Sequence, residues 1–474
     1  MDTIEDYRTK LKEIADYAFS HGFKAIGAEH FKSGPPDTWD KSTLDKFHVA
    51  CHDGFKAAQK LIITEIQKYQ TLLRNITVEL KELRRQRNKK EEKETLLKIQ
   101  IIERRLHNFS HMADGIAWQI LGGQIHLARR LHIQEKSPKF LDSSNLSHAV
   151  AVADELNKNP NDFALISDLT SFVQIGDLLV RHGKITTVME LKEGKVNDLI
   201  REFIDSIDKT DKKITDEELK EKFDENTVRQ IRRVKRQQER ANLAIDVMNN
   251  DKGTDPVSGK GIFVGTPSIK TEYYHEELKN LYEDLQNKIW AYTVVDTCIH
   301  IGMYRDEGLM MAAFTIPFIL KEQTKNFIVV DWVSITENLS EPLFGKPFPT
   351  EFIIDILTGK VKVIIGINVD ALIETFNTFG LKTRWLTEKE TAKRKQNAVR
   401  EGMVVVNKKG IALTLPGTQE VTVYGGTLSK IIYDSIKPSN IALSFLSSDI
   451  KYDEKGQMKT DTIKIKKEHG TLED

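Results

Sequence analysis

The sequence predicts an α/β protein: a long helical region, a middle region that mixes helices with a β-hairpin, and an α+β region after it. Three observations point there. From Asp45 to Arg105 apolar residues step by three and four, the spacing of a buried helix stripe. Between Asp168 and Asn197, runs of Val, Ile, Leu and Thr flank a Gly-containing turn, the pattern of a β-hairpin. Beyond Asn326, short β-branched runs alternate with helical stretches and Gly-punctuated turns.

Three regions follow from these patterns: residues 1–106, 107–250 and 251–474. In the first, Leu61, Ile62, Ile66, Tyr69, Leu72, Ile76, Leu80 and Leu83 form one stripe. A basic break, Arg84 to Lys93, precedes a second stripe at Leu96, Leu97, Ile101 and Leu106. This reads as a coiled-coil-like helical hairpin with a basic tip that is either solvated or an arm for DNA contact or dimerisation. His48, Cys51, His52 and Asp53 lie close together, but four defined ligands for structural zinc are not apparent, and a polar helix start is the better reading.

In the second region, His111–Leu121 is helical, with Ile116, Ile120, Leu127 and Leu131 as its apolar stripe. Ala149–Leu156 is a further helix. The segments Phe172–Val180 and Ile185–Leu191 are strands joined around His182-Gly183. A loop closed there sets Arg181 opposite Lys184 and Asp177 opposite Val188. Side chains alternate faces along a strand, so Asp177, Val188, Glu190 and Lys192 share one face, with Asp177 diagonal to Glu190. Diagonal cross-strand neighbours lie about 7–8 Å apart at Cα. Two carboxylates so placed can hold a hard cation, Mg²⁺ or Mn²⁺, which polarises a phosphoryl oxygen and acidifies water. A Lys on that face can stabilise charge in the transition state. The Leu191 backbone carbonyl is a further candidate ligand.

Asp177, Glu190 and Lys192 resemble the active site of the PD-(D/E)xK, or restriction-endonuclease-like, nuclease superfamily. The resemblance spans Ser110–Met248 at most and is tight only over Asp168–Asn197. Gly176 stands where that family often carries Pro. It implies a core with a central mixed sheet flanked by helices, metal held by Asp177 and Glu190, and Lys192 acting at the nucleophilic water. In that fold a neighbouring helix can lend another acid. Asp114 is the candidate, its other reading being an Asp favoured by the helix dipole; Glu155 is a weaker one, and Asp168 is read as a cap.

Downstream, Asp224–Asn249 is one long helix. Gln230, Arg233, Gln237 and Arg240 form a polar, basic stripe at heptad spacing, suited either to phosphate positioning or to solvation. Val228, Ile231, Val234, Leu243, Ile245 and Val247 oppose it. Asp205–Glu225 is a dense charge run, and Asn249–Thr266 reads as a loop.

In the third region, Tyr273–Val295 and Ala371–Phe379 read as helices and Asn326–Val333 and Val361–Ile367 as strands. Gly402–Val406, Ile411–Leu415 and Glu420–Tyr424 read as a meander. No catalytic constellation is visible there, so a sensing, specificity or oligomerisation role is expected. Net charge is +0 over 474 residues, which leaves nucleic-acid contact to local patches. Two cysteines make neither a disulfide framework nor a zinc site. The opening residues carry no secretory pattern and no apolar run reaches the roughly 20 residues of a membrane span, so a cytoplasmic location without membrane contact is expected.

The expected activity is therefore that of an Mg²⁺- or Mn²⁺-dependent nuclease, DNA being favoured over RNA, in a bacterial defence role against foreign DNA. A homodimer or higher oligomer and a targeting partner subunit are compatible with it. Two alternatives stay open: a non-catalytic nucleic-acid-binding or scaffold protein with an inactive nuclease-like core, and an RNA-directed nuclease or toxin.

Overall fold

The computed structural model describes residues 2–27, 38–133, 141, 146–183, 185–191, 225–250, 252–256, 259, 261–263, 269–396, 402–414 and 420–447. Helix and antiparallel sheet are mixed throughout, and the chain divides into two compact units. One comprises residues 1–265 with 336–354, the other 266–335 with 355–474. Among the described residues no helix is long and apolar enough to cross a membrane.

The first unit opens with α1 (Ile4–Ala15), a π-helical turn (Asp16–Ser20) and α2 (His21–Ile26). Thr3 caps α1, its hydroxyl accepting from Asp6 N. Two long helices follow, α3 (Lys41–Arg85) and α4 (Lys89–Ile120), as the stepping of apolar residues requires. The α3 seam is buried at Ile62, Ile66, Tyr69, Leu73, Ile76, Leu80 and Leu83. The α4 seam differs from expectation. Leu96, Leu97 and Ile101 are exposed at 36%, 52% and 43%, and α4 instead buries Thr95, Ile102, Arg105 and Phe109. Arg105 explains the rotation. Its guanidinium lies 4.6 Å from the Tyr7 ring centre and donates to Tyr69 Oη at 2.8 Å, so a charged residue fills a core position through aromatic faces. The basic tip is exposed and partly self-paired, Arg84 and Lys89 both meeting Glu92. The expected boundary at 106/107 falls inside α4.

Next come α5 (Ile125–Leu131), α6 (Leu146–Leu156) and three strands, β1 (Asp162–Ile166), β2 (Leu178–His182) and β3 (Ile185–Met189), in the order β1-β2-β3. Every described strand pairing in the protein is antiparallel, so the described residues do not form the expected mixed sheet. At the β1 edge the reason is visible: Gln59 from α3 donates to Ala164 O at 3.1 Å and accepts from Ile166 N at 3.0 Å. A buried side-chain amide takes the place of a further strand there. Helix α7 (Glu225–Asn250) buries Val228, Ala244 and Val247. The stretch expected as a loop carries a small hairpin, β4 (Lys252–Thr254) with β5 (Gly261–Phe263). Residues 336–354 join this unit through His111 Nε2, which accepts from Leu343 N at 3.1 Å, and an Arg8–Glu351 pair at 2.6 Å.

The second unit holds α8 (His275–Asp284), β6 (Trp290–Val295), β7 (Ile299–Arg305), α9 (Thr315–Gln323), β8 (Phe327–Asp331), β9 (Val361–Asn368) and α10 (Val369–Thr378). Its sheet order is β6-β7-β9-β8. The helix expected over Tyr273–Val295 ends at Asp284, and Trp290–Val295 is a strand, since its Tyr, Thr and Val side chains pair across β7. Gly366 lets α9 lie against β9; a Cβ there would stand 2.5 Å from Ile316 and 2.6 Å from Leu320. The expected meander forms as β11 (Val405–Val406), β12 (Lys409–Thr414) and β13 (Glu420–Thr422), with β10 (Lys382–Trp385) also on β12. The charge run Asp205–Glu225, save for Glu225 itself, and residues 448–474 lie outside the described residues.

Candidate active site

The hairpin forms, with its register two residues from the expected one. Arg181 pairs with Thr186, Leu179 with Val188 and Leu178 with Met189. His182 stays in the ladder, opposite Ile185 on one side and Asp162 on the other, with its Nδ1 2.6 Å from Asp162 Oδ1. The last pair before the turn is therefore His182 with Ile185, and Gly183 has φ +54°. A shift of two leaves every side chain on its face. Asp177 and Glu190 each lie one position past the last pair, Leu178 with Met189, and the Asp177 N–H goes to Met189 O.

Asp177 lies where the strand breaks down. Gly176 has φ +74°, and a Cβ on it would stand 2.1 Å from Val188 Cγ1. The expected strand from Phe172 thus starts only at Leu178. The Asp177 backbone remains anchored, its N donating to Met189 O and its O accepting from Ser167 N, both at 2.9 Å. Its Oδ2 accepts from Leu191 N at 2.5 Å. The carboxylate thus continues the ladder and holds the end of β3, fixing Glu190 between two anchored residues.

Glu190 opens into a cavity of 370 Å³ that Ile133, Gln174, Ile175, Gly176, Arg236, Gln237 and Arg240 also line. Two stretches singled out separately in the sequence, the hairpin and the α7 stripe, meet at this cavity. Gln237 and Arg240 are two of the four stripe residues; the side chains of the other two, Gln230 and Arg233, lie outside the described residues, as does all of Lys192. Arg236 was missed by heptad spacing, although it sits one turn before Arg240 on the same face. Gln174 was missed as well. Its backbone N donates to Leu131 O and its Oε1 accepts from Ile133 N, tying the approach to β2 onto the end of α5.

The helix acid is placed differently. Asp114 is 3% exposed and does not line the cavity. Its Oδ1 accepts from Ser171 N and its Oδ2 from Ser171 Oγ, each at 2.7 Å. It clamps the segment leading to Gly176. Burial pushes its carboxyl up to about 7, against the opposing effect of the Ser171 bonds. Glu155 is exposed beside Lys158, and Asp168 lies in a 3-10 turn, Ser167–Leu169.

Among the described residues no group of three or more His, Cys, Asp or Glu is placed to hold a metal ion. The oxygen donors at the end of the hairpin are Glu190, in the cavity wall, and Asp177, which does not line the cavity and whose Oδ2 accepts from Leu191 N. Such a set suits a hard divalent ion, since Mg²⁺ takes one or two carboxylates and keeps several waters. No family model, no curated protein and no solved structure matches this chain.

Proposed function

We propose that this chain is a metal-dependent nuclease that hydrolyses phosphodiester bonds, with DNA as its substrate and a core of the restriction-endonuclease-like kind. The observation that carries the reading is the convergence of Glu190 with Arg236, Gln237 and Arg240 around one cavity. Asp177, Glu190 and the Leu191 carbonyl would hold Mg²⁺ or Mn²⁺. When bound, that ion supplies Lewis acidity at a phosphoryl oxygen and lowers the pKa of water. The chain's own residues supply position and charge. Asp177 fixes the end of β3 and so the Glu190 carboxylate. Arg236 and Arg240 present guanidinium groups, the side chain best matched to phosphate oxygens, and Gln237 adds an amide to the same wall. Lys192 carries the role at the attacking water that the superfamily resemblance implies.

The test is cleavage of plasmid DNA with Mg²⁺ or Mn²⁺. Glu190→Gln and Lys192→Ala should each reduce cleavage by about a hundredfold or more while DNA binding persists. Arg240→Ala should weaken binding and lower the slope of log affinity against log salt by about one. Cleavage at the parent rate by both Glu190→Gln and Lys192→Ala would sink the assignment. DNA retention that ignores chelator and Asp177→Ala, without cleavage, would favour a non-catalytic binding protein. Faster cleavage of RNA than of DNA would move the substrate class.

A further inference from the structure

A second and larger cavity, 1040 Å³, shares no lining residue with the Glu190 cavity. Its wall is aromatic: Phe19, Phe23, Phe47, Phe55, Trp118, Phe344 and Phe348. Phe19 and Phe344 stack with centroids 4.7 Å apart and planes 9° from parallel. Gly115 makes this possible, since a Cβ there would lie 2.8 Å from Phe19 Cζ. The backbone is unusual at the same place. The π-helical turn Asp16–Ser20 supplies Phe19, and insertions of this kind gather at functional sites. Gly122 and Gly123, both at positive φ, also line the cavity.

Among the polar groups of this wall, Arg181 and Trp118 carry donors to spare, and His52 Nδ1 is buried with no hydrogen-bond partner among the described residues. Arg181 is half-buried and donates to Thr186 Oγ1 at 2.8 Å, and no carboxylate among the described residues pairs with it. Burial holds its guanidinium below the usual arginine range. Trp118 is 6% exposed, and its indole N–H makes no hydrogen bond among the described residues. The one carboxylate in the wall, Glu341, is paired with fully buried Lys346 at 3.1 Å. An unpaired guanidinium and an open N–H among stacked rings suit a ligand with an anionic group and a flat π-face. A fatty acid would answer the charge but not the stacked rings, and a neutral aromatic would leave the charge unanswered.

We infer that this cavity is a nucleotide site, with Arg181 receiving the phosphate and the Phe19–Phe344 and Trp118 walls receiving the base. Arg181 lies on β2 four residues from Asp177 and on the same sheet face. The separation along the strand is about 13 Å. The nucleotide is therefore either free or part of a strand that also reaches the Glu190 cavity. The inference does not depend on the nuclease reading.

The experiment is calorimetric titration of the full chain carrying Glu190→Gln, in EDTA, with adenosine 5′-monophosphate, adenosine, inorganic phosphate and a short single-stranded oligonucleotide. Metal-site binding is thereby removed, so failure here is distinct from failure of nuclease activity. The monophosphate should bind at least about tenfold more tightly than either adenosine or phosphate, and Arg181→Gln should weaken it by about tenfold. Phe19→Leu should erase the preference for monophosphate over phosphate while circular dichroism stays at the parent spectrum. Arg240→Ala should leave monophosphate binding unchanged. Displacement of the monophosphate by the oligonucleotide identifies a nucleotide of the substrate strand; retention identifies a free nucleotide; both support the site. No binding, binding indifferent to both Arg181→Gln and Phe19→Leu, or loss of binding with Arg240→Ala overturns it.

Discussion

Asp114 and His111 should cancel each other's pH dependence, and single substitutions should uncover it. The two lie one turn apart on α4, with His111 Nδ1 3.9 Å from Asp114 Oδ2 and both side chains buried. Burial raises Asp114 from 3.8 to about 7 and lowers His111 from 6.5 to about 3, the latter helped by the charges of His107, Arg104 and Lys346. His111 Nε2 accepts the Leu343 N–H, which a proton on that nitrogen would break. A raised acid contributes stability that is complete below its unfolded pKa and is lost as pH rises through the folded one. A lowered base contributes stability that is complete above its unfolded pKa and is lost as pH falls. Each slope is about 1.4 kcal/mol per pH unit. Between about pH 4 and 6.5 the slopes oppose, and the pair carries one proton throughout. Asp114→Asn keeps an acceptor for Ser171 N and removes the acid's slope. Its stability relative to parent should then fall by about 3 kcal/mol as pH drops from 6.5 to 4. His111→Gln should show the reverse, losing about as much as pH rises over that window. The assay is the urea midpoint at which peptides of α4 lose hydrogen-exchange protection, taken at several pH values. Parallel profiles for parent and Asp114→Asn would refute the assignment of these protonation states.

Two further substitutions probe the scaffold of the hairpin. Gly176→Ala places a Cβ 2.1 Å from Val188 Cγ1 at a φ of +74°; it should cost about 2–4 kcal/mol, and adding Val188→Ala should recover the clash but not the backbone strain. An unchanged urea midpoint for Gly176→Ala would contradict the local geometry. Gln59→Leu strands Ala164 O and Ile166 N. It should cost about 2–4 kcal/mol and speed exchange of the Ile166 amide, whereas intact protection would mean that another group closes that edge.

The sequence by itself determined the elements whose signal is local. The stepping of Ile62, Ile66, Tyr69, Ile76, Leu80 and Leu83 specified the long helix α3, and β-branched runs around Gly183 specified the β2–β3 hairpin. Even a register two residues off kept Asp177 and Glu190 on one face, because strands repeat with period two. Strand β1 was not legible, since Asp162–Ile166 is a short run buried at every position and shows no alternation. Nor was the α4 seam, where Arg105 takes a core place only because Tyr7 and Tyr69 present their rings to it. Packing withdrew Asp114 into a clamp on Ser171 and brought Arg236, Gln237 and Arg240 of α7 to the cavity that Glu190 lines. It alone also assembled the aromatic cavity, from residues scattered between Ala18 and Ile353. Elements follow from periodicity within a few turns of chain, whereas a site is a convergence of side chains far apart in sequence, and only packing brings them together.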